Sequence, residues 1–179
     1  MHAHDRTLLA SLAFADPDKK DRLHDAACRY LTEEPQASEI VRLVETKPDC
    51  PVDSVTIYNR SIEQPISKGQ GQYRTTIGFL DGVIEYRIGE LGNDTNRVLL
   101  EVKISRVDAA AILRQLRLYQ QYEGASFYGQ SWVVAVAFDM NESATNMLIE
   151  HEIHVVRLGT KFREWMKASQ LKSAKLQEI

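Results

Sequence analysis

Glu101 and Lys103 stand two positions apart in the segment from Arg97 to Ser105. There Val98, Leu100, Val102 and Ile104 alternate with Arg97, Leu99, Glu101, Lys103 and Ser105, the period of a β-strand. The apolar set is expected to face a core, which puts Glu101 and Lys103 together on the opposite face with Cα atoms about 6.5 Å apart. Taken alone, such a pair is a surface ion pair of little energetic weight. Asp81 changes that weighing, because it lies on the preceding strand-like segment between apolar Leu80 and Gly82, a glycine that leaves room beside it. Two carboxylates from neighbouring strands form a hard-oxygen set suited to Mg²⁺ or Mn²⁺. Phosphodiester hydrolysis has use for this trio. An ion on Asp81 and Glu101 would polarise a phosphate and lower the pKa of a bound water, while Lys103 would orient that water or stabilise the transition state.

The segment that follows supplies a second set of groups. Asp108 is placed to cap a helix over 109–122, and Gln115 falls on the same side of it as Ile112, Leu116 and Tyr119, with Arg114, Arg117 and Gln121 pointing outward. A buried amide needs partners, which an acid, a metal-bound water or a phosphate would provide. Equally, Gln115 can be satisfied by backbone at the edge of a packing face and Tyr119 can be core.

These residues need elements to hold them. Asp16-Pro17-Asp18 reads as a helix start, with Leu23, Ala26, Ala27 and Tyr30 at helical spacing up to Glu33-Glu34-Pro35. Ser38 is expected to cap a shorter helix carrying Ile40, Val41, Leu43 and Val44, broken at 47–51. From Asp53 the period becomes two. Strands are expected over 55–66, 73–88 with a bend at Gly78, and 97–105, with Gly69, Gly71, Gly89 and Gly92 as turn glycines. Trp132 to Phe138 is a continuous apolar run, hence a strand covered on both faces. A short helix over 142–148, a strand over 154–158 and a closing helix over 161–176 complete the order. That order is α/β in three layers around a mixed sheet.

Leu80-Asp81-Gly82, Glu101-Val102-Lys103 and Gln115-Leu116-Arg117-Leu118-Tyr119 together resemble the PD-(D/E)xK nuclease superfamily, in particular its RecB-type and Cas4-type branches with a QxxxY helix. The resemblance implies a restriction-endonuclease-like fold: a mixed central β-sheet flanked by helices, with an αβββαβ core. It further implies that Asp81, Glu101 and the carbonyl of Val102 bind Mg²⁺ or Mn²⁺, that Lys103 supports the attacking water, and that Gln115 and Tyr119 place the water or the nucleic acid. The motifs span about 45 residues directly, and the element order extends the match over most of the chain. Three departures stand out. Phe79-Leu80 replaces the proline before Asp81, no four-cysteine cluster set is present, and the first-helix acid of the family has no fixed counterpart. Glu39 is the choice for that acid, with Glu33 and Glu34 as competitors.

Composition bounds the rest. The 179 residues carry 22 Lys+Arg against 25 Asp+Glu, a formal net charge of −3, with 44% hydrophobic and 26% charged residues. These values fit one globular domain: N-terminal helices over 1–50, a catalytic core over 51–160 and a C-terminal helix over 161–179. Near-neutrality excludes coating of a polyanion by bulk charge, so DNA, the expected partner, would be met at a local site. The two cysteines, Cys28 and Cys50, suggest reduced thiols, and the apolar patch over 8–15 is too short for a membrane span, so a cytoplasmic location is expected. His151 and His154 enter a short strand on opposite faces and make a poor metal pair, and His2 and His4 belong to a terminus. Lys161, Arg163, Lys167, Lys172 and Lys175 on the last helix would, with Arg114 and Arg117, line a DNA groove or simply be solvated, while Phe162, Trp165 and Met166 read as core. The functional expectation is a metal-dependent deoxyribonuclease, acting alone, as a homodimer or within a larger defence, recombination or mobile-element complex. Its rival is an inactive nuclease-fold subunit that binds nucleic acid or assembles with partners.

Overall fold

The computed structural model describes residues 17–45, 55–68, 75–89, 95–104, 108–124, 129–138 and 140–177. Expectations placed on His2, His4, Asp16, Asp18, Cys50, Gly69, Gly71, Gly92 and Ser105, on the 8–15 patch and on the 47–51 break lie outside the described residues or side chains. The same holds for the side chains of Lys172 and Lys175. The elements are α1 (Pro17–Thr32), α2 (Gln36–Val44), β1 (Val55–Lys68), β2 (Thr75–Ile88), β3 (Asn96–Lys103), α3 (Ala109–Gly124), β4 (Ser131–Ala137), α4 (Glu142–Glu150), β5 (His154–Arg157) and α5 (Thr160–Gln177). One five-stranded sheet runs in the order β1-β2-β3-β4-β5. Its first three strands are antiparallel neighbours joined by short connections, whereas β3, β4 and β5 are parallel because α3 and α4 carry the chain back between them.

Helices cover both faces of this mixed sheet, as the element order implied. On one side Ala27, Leu31, Ile40, Val41 and Phe162 from α1, α2 and α5 pack on Ile84, Val98, Leu100, Val102, Val134 and Val136. On the other side Ile112, Leu116 and Tyr119 of α3 and Leu148 of α4 pack on Leu80, Val83, Leu99, Val133 and Ala135. The second layer corrects the reading of β3. The face expected to be polar and exposed is roofed by α3, so Leu99 and Glu101 are as deeply buried as Val98 and Leu100. The parallel crossover is the cause, since it lays its helix over the strand it leaves.

Two helix starts behave differently. Asp108 caps α3 as expected, its Oδ1 accepting the N–H groups of Ala110 and Ala111 at 3.0 and 3.2 Å. Ser38, in contrast, does not cap α2: the helix begins at Gln36 with Pro35 before it, and the Ser38 hydroxyl donates to Glu34 instead. Phe162 sits in the core against Tyr30 with ring centroids 5.2 Å apart, and Trp165 and Met166 pack on the edge of the same cluster. Among the described residues no helix is long and apolar enough to cross a membrane.

Candidate active site

The site is built where the sheet comes apart. Pairing of β2 with β3 runs from Tyr86↔Asn96 to Gly82↔Leu100 and stops there. Leu80 packs into the α3 layer while Ile84 packs into the α1 layer, although both are even-numbered positions of one strand. The side-chain alternation therefore reverses across Asp81. On β1, Glu63 lies between the pairs Ile62↔Gly82 and Gln64↔Leu80 and has φ of 51°, the left-handed region that a non-glycine residue rarely occupies. With the ladder ended, the Val102 N–H is taken by the Asp81 carboxylate, which accepts it through Oδ2 at 2.6 Å. Gly82 permits this. A Cβ there would stand 3.0 Å from Leu100 Cδ1 and 3.3 Å from Thr32 Cγ2 of α1.

Glu101 lies next to this break and is only 1% exposed. Lys103 Nζ donates to its Oε1, and its Oε2 is buried with no hydrogen-bond partner among the described residues. Burial, reinforced by the nearby Asp81 charge and opposed by Lys103, pushes the Glu101 carboxyl up to about 7. A surface ion pair does none of this. Two acids share a desolvated spot, with one oxygen left unsatisfied, and such an arrangement fits a cation.

The helix side chain that reaches Asp81 is a histidine. His24 Nε2 lies 3.2 Å from Asp81 Oδ1, and that hydrogen bond, helped by Cys28 and opposed by burial, raises the imidazole to about 10. Cys28 follows one turn later, its Sγ 3.8 Å from His24 Nδ1. Glu39, the acid expected here, is engaged elsewhere: exposed on α2, it accepts from Lys161 Nζ at 2.8 Å. Its competitors are occupied too, Glu33 by Trp165 Nε1 and Glu34 by Ser38 and Arg60. His24 was legible in principle, because it shares the sheet-facing stripe of Ala27 and Leu31, although an acid was expected in that place.

From the opposite layer α3 brings Gln115 and Tyr119. Gln115 is half-buried and Tyr119 buried, and the Gln115 side-chain amide donates to the Tyr119 hydroxyl at 2.7 Å. The phenol lies over Gly78, where a Cβ would stand 3.0 Å from its oxygen. Burial raises the Tyr119 pKa and Gln115 opposes it, while the charges of Glu101, Asp81 and Lys103 all act on the group. The bend expected at Gly78 is present as a register shift between Ile66 and Ser67 of the facing strand. Asp81, Glu101, Lys103, Gln115 and Tyr119 thus converge, and Glu39 does not.

Other expectations resolve simply. His151 is exposed at the end of α4, where its carbonyl accepts from Arg117, and His154 is half-buried against Trp132, burial lowering its pKa. The common rim of α5 with Arg114 and Arg117 does not form, because α5 packs in the α1–α2 layer and α3 lies on the far side of the sheet. No family model matches the chain, and no curated protein does. Among solved structures, a repair endonuclease from Pyrococcus abyssi is similar with a TM-score of 0.38 and 21% identity, over 70% of this chain and 47% of that one. An EndoMS–dsDNA2 complex is similar with a TM-score of 0.35 and 20% identity, over 69% of this chain and 45% of that one. The chain spans about half the length of the chains it resembles.

Proposed function

We propose that this protein is a divalent-metal-dependent nuclease that hydrolyses phosphodiester bonds of DNA. One observation carries the reading: Glu101, 1% exposed, is buried beside Asp81 with an oxygen that finds no hydrogen-bond partner among the described residues. A carboxylate in that state is stabilised by a cation, and the all-oxygen set of Asp81, Glu101 and the Val102 carbonyl suits Mg²⁺ or Mn²⁺, with His24 at its edge. Such an ion, when bound, supplies charge neutralisation at the phosphate and a more acidic water.

The chain's own groups do the rest. Val102 N–H holds Asp81 in one orientation, so the acid is set before any ligand arrives. Lys103, about one-third exposed, keeps its ammonium at the mouth of the site, where it holds the attacking water and offsets charge building on the phosphate. Gln115 and Tyr119 present an amide and a phenol from the roof, placed to orient that water or a phosphate oxygen. A near-neutral chain supplies little affinity beyond this pocket.

The test is a cleavage panel over duplex, single-stranded, branched and RNA substrates with Mg²⁺ or Mn²⁺, run beside Glu101→Ala and Lys103→Ala. Cleavage of DNA that both substitutions abolish supports the reading. Unchanged cleavage in either variant refutes it. Divalent-ion binding without cleavage moves the assignment to a DNA-binding or assembly subunit.

A further inference from the structure

We propose that His24, Cys28 and Asp81 form a zinc site that shares Asp81 with the magnesium set, so that Zn²⁺ holds the enzyme inactive. The statement about activity rests on the nuclease reading above; the metal site does not. The three side chains offer a nitrogen, a sulfur and an oxygen that all lie within 4.8 Å of one another. His24 Nε2 is 3.2 Å from Asp81 Oδ1 and 4.0 Å from Cys28 Sγ. In tetrahedral zinc, bonds of about 2.0 Å to nitrogen or oxygen and about 2.3 Å to sulfur place neighbouring donors about 3.3 to 3.6 Å apart. The His24–Asp81 edge is already at that spacing, the His24–Cys28 edge needs a shift of about half an ångström, and the Asp81–Cys28 edge, within 4.8 Å, closes as the side chains turn onto the ion.

The fold prepares each donor. His24 and Cys28 are one turn apart on α1, so they project from the same face. Cys28 is 2% exposed and forms the floor, while the partly exposed imidazole and carboxylate form the entry. Asp81 keeps Oδ2 on the Val102 N–H and turns Oδ1 toward His24. Three protein donors leave a fourth position for water. On ligation the thiol proton and the imidazole proton that faces Asp81 both pass to solvent, so that the sulfur binds as thiolate and His24 as neutral imidazole. Thiolate and imidazole favour a borderline-soft ion, whereas Mg²⁺ takes hard oxygen donors and would not select Cys28. The two ions therefore compete for Asp81, with His24 beside it, while Cys28 serves zinc.

Cobalt(II) reports on the sulfur directly. Added to the metal-free full chain, it should give a thiolate-to-metal charge-transfer band in the near ultraviolet, which Zn²⁺ bleaches and which Cys28→Ser and Cys28→Ala both lack. Zinc affinity, read by competition with a chromophoric chelator, should fall at least about tenfold in both variants and in Asp81→Asn. Cobalt binding to the unmodified protein without that band overturns the proposal, whatever the variants do, as does zinc affinity unchanged in both Cys28 variants. In cleavage assays Zn²⁺ should stop Mg²⁺-supported hydrolysis and excess Mg²⁺ restore it; cleavage indifferent to zinc overturns the shared-ligand statement. A charge-transfer band with no cleavage in any metal leaves the site standing and removes the nuclease reading. Cleavage without the band does the reverse.

Discussion

Glu101→Gln should stabilise the metal-free protein, and by an amount that depends on pH. The Glu101 carboxyl is raised from 4.5 to about 7 by burial and by Asp81, so the folded state prefers its neutral form. For a raised pKa the sign is fixed: the contribution is fully present below 4.5 and is lost as pH rises through about 7. Moving a carboxyl that far corresponds to about 3 kcal/mol, at about 1.4 kcal/mol per tenfold change. That shift is already net of the opposing Lys103 ion pair, so about 3 kcal/mol is the expected gain at pH 8 for a glutamine that never ionises. For a chain of this length that is roughly 6–12 °C in Tm. His24, raised from 6.5 to about 10, loses its contribution in the same direction but at higher pH, and it is present in both proteins, so the difference between them isolates Glu101. The assay is thermal or urea unfolding in EDTA at pH 5 and pH 8. A variant less stable than the parent at pH 8, or a difference equal at both pH values, would refute the account of a desolvated acid awaiting a cation.

Lys103→Met should lower cleavage by about 10²-fold or more in kcat while the protein still folds, read by single-turnover kinetics and circular dichroism. Magnesium affinity should rise from pH 6 to pH 9, because protons on Glu101 and His24 must leave; calorimetry in buffers of different ionisation enthalpy should detect that release, and a pH-independent affinity would count against it. Gly82→Ala should cost about 1–3 kcal/mol, since its Cβ meets Leu100 and Thr32 at 3.0 and 3.3 Å, with no loss on unfolding if α1 simply moves away. Asp108→Ala should cost about 1 kcal/mol through loss of the α3 cap, and Asp108→Asn much less.

Much of the scaffold is local and was readable as such. The period-two patterns of β2 and β3, the apolar run of β4 and the Asp108 cap each follow from neighbouring residues, and they put Asp81 within β2, Glu101 and Lys103 at the end of β3, and Gln115 and Tyr119 within α3. Ser38 misled because a good capping residue can also sit one turn inside a helix, where its hydroxyl finds Glu34. Glu39 misled for a related reason. Helical periodicity says which residues share a face, but whether that face meets the sheet or Lys161 depends on how α2 and α5 pack.

What the chain's order of residues determined by itself, then, is the set of chemical groups and the elements that bear them. What only the tertiary structure decided is their electrostatic state. The roof of α3 turns Glu101 from a solvated partner of Lys103 into a buried acid with one oxygen unpaired among the described residues, and the break in the sheet turns Asp81 toward Val102 and His24. Both depend on segments far apart in the chain, and desolvation is a property of what lies above a residue rather than of its neighbours in sequence.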